Sequence, residues 1–412
     1  MQDQTRGRGA TDKKPKQAKP TQLTRNLRSL ELCVGGGGLA LGTAMAGFEH
    51  VAVIDSDPLS CETLRGNKQR RLLYVRDWEI IESDISKLGF SEYSDIDMIS
   101  GGPPCQPFSQ AGSRNGRSDV RDMFPHFIRA IRECQPKSFI IENAKGLING
   151  SFLDYFSYLE HQLSFPTVQR KKGEKWTEHR ARLERLYTSG MCQDLQYRVI
   201  HQPLNATDFG AAQRRDRVFI VGVRADLKIE YNFPLRTHTR EALWFDQWVS
   251  GDYWERHCIP RRLRPEAPPL LAKKLLRLGN KPSEEAWRTV RDVISDLPNV
   301  GLGRTSHKVL NHFLNPGARA YAGHAGSAMD APSKTIKAGH NGVPGGENMV
   351  QLDDGSLRYF SVRECARLQN FPDKWAFHGS WCGCMRQIDN AVPLLLAKTV
   401  ASPLAEALQK VA

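Results

Sequence analysis

From residue 30 onward, short apolar runs alternate with stretches in which apolar positions recur at helical spacing. The runs at 30–34 and 51–54 are each followed by a helical pattern, at 39–46 and 59–64. Likewise 98–100 is followed by 124–134, and 139–141 by 152–163. Further runs at 197–200 and 218–223 extend the series, and Glu79-Ile80-Ile81 adds a short one. A brief apolar run between turn-forming residues is a buried strand, and apolar positions three and four apart make one face of a helix. The alternation predicts an α/β fold: a doubly wound, mostly parallel sheet flanked by helices. The rhythm is lost from about residue 231, where Trp244, Trp248, Trp254 and Trp287 lie scattered among arginines and prolines such as Arg261-Arg262-Leu263-Arg264-Pro265. A smaller inserted domain is expected over 231–345, after a first domain over 27–230. Amphipathic helices return at 362–369 and 394–408, so 346–412 is expected to fold back onto the first domain.

Two segments stand outside this pattern. Residues 1–26 carry Arg6, Arg8, Lys13, Lys14, Lys16, Lys19 and Arg25 with almost nothing apolar to bury, which predicts a disordered basic arm. Between 160 and 191, Trp176, Arg180, Leu183 and Tyr187 recur at helical spacing amid further basic residues. That helical insertion is read as a solvated surface helix or as a nucleic-acid contact.

Lys and Arg number 58 against 45 Asp and Glu, a formal net charge of +13, which favours a polyanionic partner. No continuous apolar run reaches the roughly 18 residues of a membrane span, and the amino terminus has no hydrophobic signal region, so a cytoplasmic, membrane-free protein is expected. Nine thinly spread cysteines agree with reduced thiols. His378 near Cys382-Gly383-Cys384 lacks the paired spacing of a zinc site, and no metal is expected.

The candidate chemistry gathers where strands end. Gly35, Gly37 and Ala40 fit the spacing of a phosphate-approaching loop between a strand and a helix, and Asp55 ends the next strand where a ribose-binding acid belongs. The pair indicates an adenosine-containing cofactor. Asp84 follows Ile81, Cys105 stands in Gly101-Gly102-Pro103-Pro104-Cys105-Gln106-Pro107 after the run at 98–100, and Glu142-Asn143 follows 139–141. Proline ends a strand by removing an N–H, so Cys105 is displayed on a stiff turn. In an open parallel sheet, ligands bind beyond the carboxyl ends of the strands, where all these side chains converge. A thiol, a carboxylic acid and a cofactor loop on one edge point to covalent catalysis assisted by proton transfer. Arg215 and Arg217, two apart before the run at 218–223, are expected to share one side of an extended segment and to hold a carbonyl or phosphate.

In their order along the chain these motifs resemble the DNA (cytosine-5)-methyltransferases. The likeness runs from residue 30 to the carboxyl terminus through the glycine loop at 35–38, Asp55 to Asp57, Asp84-Ile85, Pro104-Cys105, Glu142-Asn143, Gln213-x-Arg215-x-Arg217 and Arg386-Gln387-x-x-Asn390-x-Val392-Pro393. The resemblance implies transfer of a methyl group from S-adenosylmethionine to carbon 5 of a cytosine flipped out of duplex DNA. It casts Cys105 as the nucleophile at carbon 6, Glu142 as proton donor at N3 and Arg215, with Arg217, as holder of the O2 edge. It further implies that Cys33, Gly35, Gly37, Gly38, Leu39, Asp55, Ser56, Asp84, Ile85, Pro104 and Asn390 bind the cofactor. Residues 231–345 become a target-recognition domain, and Thr335-Ile336-Lys337-Ala338-Gly339 with the glycines at 342–346 the segment that organises it. A monomeric modification enzyme of a restriction-modification system is implied, partnered by a restriction endonuclease without need of direct contact. Methylation of transfer RNA and a catalytically silent DNA-binding regulator are the alternatives. Three positions depart from the family's usual residues: Cys33 for Phe, Ala144 for Val, and Asp389 for Gly. The last bears on the cofactor pocket.

Overall fold

A computed structural model describes residues 26–104, 122–190, 194–300, 309–320, 325–337 and 348–411. Residues 1–25, Cys105 and 338–347 lie outside that set, and with them the expected basic arm, the candidate nucleophile and part of the glycine-rich segment.

Seven strands form the central sheet: β1 Leu27–Leu32, β2 Phe48–Asp55, β3 Glu79–Glu82, β4 Met98–Gly101, β5 Ser138–Ala144, β6 Tyr197–Asn205 and β7 Asp216–Arg224. Their order is β3-β2-β1-β4-β5-β7-β6. The first five are mutually parallel. Strand β7 runs antiparallel to β5, and β6 antiparallel to β7. Strand β6 therefore runs in the same direction as the first five, and β7, set between β5 and the edge strand β6, is the one reversed strand, so the mostly parallel reading holds.

Helices α1 (Gly38–Met45), α2 (Pro58–Gln69), α3 (Phe124–Cys134) and α4 (Leu153–Ser164) follow β1, β2, β4 and β5. Side chains alternate across a strand, so each strand feeds two cores. Leu30, Leu32, Ile99, Phe139 and Ile141 face α3 and α4 and meet Phe124, Phe127, Phe156 and Leu159. Met98, Ile140, Phe219 and Val221 face the other way and meet Leu39 of α1 and Leu396, Val400 and Leu404 of the last helix. Helix α5 (Trp176–Ser189) builds a small core of its own from Leu183, Tyr158 and Phe165, and its Arg180 and Arg182 are paired with Asp154, Glu184 and Glu174.

Beyond residue 231 come β8 (His238–Thr239), α6 (Arg240–Trp248), α7 (Asp252–Arg256), α8 (Pro269–Leu278), β9 (Glu285–Ala286) and α9 (Val290–Ile294). Leu243, Tyr253, Trp254 and Trp287 make a separate cluster, with the Arg240 guanidinium 4.8 Å above the Trp287 ring. From α9 onward the chain packs into the main body: Val290, Val293 and Ile294 share a core with Phe360, Val362 and Trp375. A small sheet, β10 (Ser327–Ala328), β11 (Met349–Gln351) and β12 (Leu357–Tyr359), leads to α10 (Val362–Leu368), α11 (Trp381–Asn390) and α12 (Leu394–Lys410). The stretch Trp381–Lys410 is apolar enough over a membrane-spanning length by composition, which individual apolar runs do not reveal. Its apolar face is consumed by the fold, since Leu394, Leu396, Ala397, Val400, Leu404 and Leu408 are buried against the sheet and α1.

Candidate active site

The parallel strands deliver their carboxyl ends to one edge, and the candidate residues stand there. After β1, Cys33 takes a left-handed φ of 55° and ends the strand two residues before the expected limit. The loop then enters α1, whose N-cap is Gly37. Asp55 ends β2 and is already engaged, accepting the Gly35 N–H at 2.7 Å and the Asp57 N–H at 2.8 Å. It braces the loop, so any ribose contact would share oxygens that hold the backbone. Ser56 beside it is exposed. Asp84 caps a short 3-10 turn through the Ser86 N–H at 2.8 Å, which holds its carboxyl below the usual range, and Ile85 is buried behind it.

The other side of the glycine loop is sealed by the carboxyl-terminal segment. A Cβ on Gly38 would collide with the Val392 carbonyl and lie 3.1 Å from Ala391 Cβ. A Cβ on Gly36 would lie 3.2 Å from the Gln387 carbonyl. Leu39 is buried in the same seam, and exposed Asn390 ends α11 beside it. A Cβ on Gly35, by contrast, would meet nothing within 4 Å among the described residues. The loop is thus packed on one flank and open on the other. Beneath it lies a residue that sequence reasoning missed: Glu31, fully buried, accepts the Ser100 hydroxyl on β4, while its Oε1 has no hydrogen-bond partner among the described residues. Burial pushes its carboxyl up to about 8. Burial, followed by the negative potential of Asp55, Glu31 and Asp84, raises the Cys33 thiol. Asp55 and Asp84 at the edge of the open flank suit a cofactor that bears positive charge.

The base side is built on β5 and the leading end of β7. Pro103 and the exposed Pro104 continue from β4, and Asn143 Nδ2 donates to the Pro103 carbonyl at 2.9 Å, tying the turn that leads to Cys105 onto β5. Glu142 is opposite Phe219 and Arg217 opposite Ala144, a diagonal on one face of the antiparallel pair. There Arg217 Nε meets Glu142 Oε1 at 2.7 Å. Burial raises the Glu142 carboxyl above its ordinary value, against the opposing pull of Arg217 and then Arg215. Arg215 does not join this pair. Its side chain is wholly buried, with Nη2 donating to the Asp389 carbonyl and Nη1 3.6 Å from Asp389 Oδ1. Its guanidinium is drawn away by α11, so the arginine next to Glu142 is Arg217. Asn143 and Asp389 were visible in the sequence, one as half of Glu-Asn and the other as a departure from the family pattern. Neither showed its role. Gln213, fully buried with both amide atoms unpartnered among the described residues, gave no signal beyond its motif.

A glycine loop and an acid braced on one sheet edge, with one reversed strand next to the edge strand carrying arginine to a buried glutamate, is the arrangement of a Rossmann-like methyltransferase. The S. pombe Dnmt2 methyltransferase superposes with a TM-score of 0.53 at 19% identity, over 93% of this chain and 99% of that one. A methyltransferase of Entamoeba histolytica gives 0.52 at 12% identity, over 93% and 99%. The particular family follows from the sequence: the model for C-5 cytosine-specific DNA methylase matches residues 27–164 and 178–406, and the chain belongs to that family. It is a DNA cytosine-5-methyltransferase. Type II methyltransferase M.NgoMIV of Neisseria gonorrhoeae is 30% identical over 383 residues, 93% of this chain and 98% of its own length. M.Eco47II of Escherichia coli is 28% identical over 397 residues, 95% and 82%. The match skips 165–177, within the segment read as an insertion.

Proposed function

We propose that this enzyme methylates carbon 5 of a cytosine in a particular duplex DNA sequence, with S-adenosylmethionine as donor, as the modification enzyme of a restriction-modification system. The observation that carries the reading is the Glu142–Arg217 pair, standing beside the turn that Asn143 holds and on the same edge as the glycine loop. The cofactor would lie on the open flank of Gly35, with Asp55, Asp84, Ile85 and Asn390 around it and Glu31 beneath. When bound, it supplies an electrophilic methyl group.

Cys105 attacks carbon 6 as thiolate, which makes carbon 5 nucleophilic and pushes negative charge onto the ring. Glu142 delivers a proton to N3, a role suited to a carboxyl raised by burial. Arg217, already beside Glu142, holds the O2 edge, and Arg215 supports it from behind; the implied roles of the two arginines are thereby exchanged. Once carbon 5 carries the methyl group, a water or hydroxide in the site takes the carbon 5 proton, the electron pair re-forms the 5,6 double bond and expels Cys105 as thiolate, and N3 returns its proton to Glu142. The target atoms are unreachable inside a duplex, so the base is flipped into the site. We assign 231–345 as the target-recognition region, on the strength of its separate aromatic cluster. The basic arm and the net charge of +13 favour phosphate contacts.

The test is transfer of labelled methyl from S-adenosylmethionine to unmethylated bacteriophage λ DNA, followed by bisulfite sequencing. Methylcytosine in one sequence context is expected, together with a covalent adduct to 5-fluorocytosine DNA that Cys105→Ser abolishes. Undiminished transfer by Cys105→Ser would overturn the mechanism.

A further inference from the structure

Arg215 presents a physical problem that the proposed chemistry leaves open. A guanidinium with no exposed surface loses its hydration, and burial followed by the like charge of Arg217 pulls its pKa down to about 9. Its Nε and Nη1 have no hydrogen-bond partner among the described residues. An unsatisfied buried charge costs several kcal/mol on general grounds. What holds it is Asp389, 174 residues away in sequence, through the main-chain carbonyl and the nearby carboxylate. The carbonyl would be present with any residue at that position. The carboxylate would not, and the usual glycine of the resembling family has none.

Two further observations give the contact a wider role. Within one turn of α11, Gln387 abuts the glycine loop at Gly36 while Asp389 holds Arg215, so a single helix end touches the cofactor side and the base side. The charged groups facing Glu142 among the described residues are Arg217 on β7 and Arg215 in the segment that leads into it. On its other side stand Gly101 at the end of β4 and Gly102 just after it, with the partly exposed Lys145–Asp216 pair just past the end of β5 and at the start of β7. Asp389 is the acid standing behind Arg215.

We propose that Asp389 is a positioning residue: by clamping Arg215 it seats α11 against the segment that leads into β7 and offsets the positive charge lying behind Glu142. The inference rests on the reading of Glu142 as the proton donor at N3. Removing the carboxylate leaves the Arg215 charge uncompensated, which favours ionised Glu142. The protonated acid then disappears at lower pH.

The experiment is single-turnover methyl transfer to unmethylated λ DNA, measured from pH 6 to 10 with wild type, D389N, D389E and E142Q. Wild type should lose rate on the alkaline side as Glu142 ionises, and E142Q should lack that limb. D389N should move the limb to lower pH by roughly one unit and slow transfer at pH 8 about tenfold, while D389E restores both. D389G, compatible with the fold in the resembling family, is read in the same way should D389N not fold. An alkaline limb that persists in E142Q refutes the Glu142 role itself. A limb absent from E142Q but unmoved in D389N or D389G, at wild-type rate, overturns the assignment of Asp389 alone.

Discussion

Replacing Gly42 by alanine tests whether the carboxyl-terminal segment seals the glycine loop. Gly42 is inside α1, where alanine is ordinarily favoured by about 1 kcal/mol because it lowers the entropy of the unfolded chain and fits the helix. Here the added Cβ would overlap Ala397 Cβ and stand 2.8 Å from the Leu394 carbonyl and 2.9 Å from the Lys398 N–H, against about 3.5–4.0 Å for an unstrained carbon contact. Two of the three obstacles are backbone, so no rotamer change relieves them. Helix α12 must retreat by nearly an ångström, yet Leu396, Ala397 and Val400 are wholly buried there. Overpacking of that kind costs about 1–3 kcal/mol, and backbone obstacles place it at the upper end. The net expectation is a loss of about 2 kcal/mol. Urea unfolding reads it directly as a lower midpoint at unchanged slope. Ala397→Gly on top of Gly42→Ala should recover only part of the loss, since Leu394 and Lys398 still obstruct. S-adenosylmethionine affinity should fall alongside, because Ala391 and Val392 are carried by the same seam. A Gly42→Ala protein more stable than wild type by the ordinary helix increment would show that α12 does not press on α1 as described.

Asn143→Ala removes the bond to the Pro103 carbonyl and should cost about 1–3 kcal/mol, with kcat falling more than DNA affinity because the turn before Cys105 loses its tether. Equal kcat in the variant would sink that role. His50, buried and bonded to Ser29, Thr43 and the Ala40 carbonyl, is held neutral, burial pulling its pKa down to about 4. The unfolded chain takes up the proton below about pH 6.5, so the His50 contribution is full above that value and is lost as the pH falls towards 4. Comparing urea unfolding at pH 7.5 and 4.5, wild type should lose about 2.5 kcal/mol more than His50→Gln. Identical losses would refute the buried neutral state.

Much of the molecule is legible in the chain because its signals are local. The run at 98–100 ends at Gly101-Gly102-Pro103-Pro104, and the strand indeed stops at Gly101, since proline cannot extend a ladder. The pattern at 124–134 is a helix over those residues. The glycine loop, Asp55, Asp84 and Glu142 fall on one edge because five strands run the same way. Glu31 was not legible as a buried acid. Its neighbours in sequence mark a strand end, and only the pairing of β1 with β4 sets Ser100 beside it.

By itself the sequence determined the α/β alternation, the order of the motifs and the residue types of the site, all properties of short segments. The direction of β7 lay beyond it, because an apolar strand pattern reads the same forwards and backwards. Only the fold decided that β7 runs against β5, which brings its leading end, and not its trailing end, to the catalytic edge. Only the fold chose between two arginines two positions apart, giving Arg217 to Glu142 and Arg215 to Asp389, because those partners come from strands and helices that meet only when the sheet is covered.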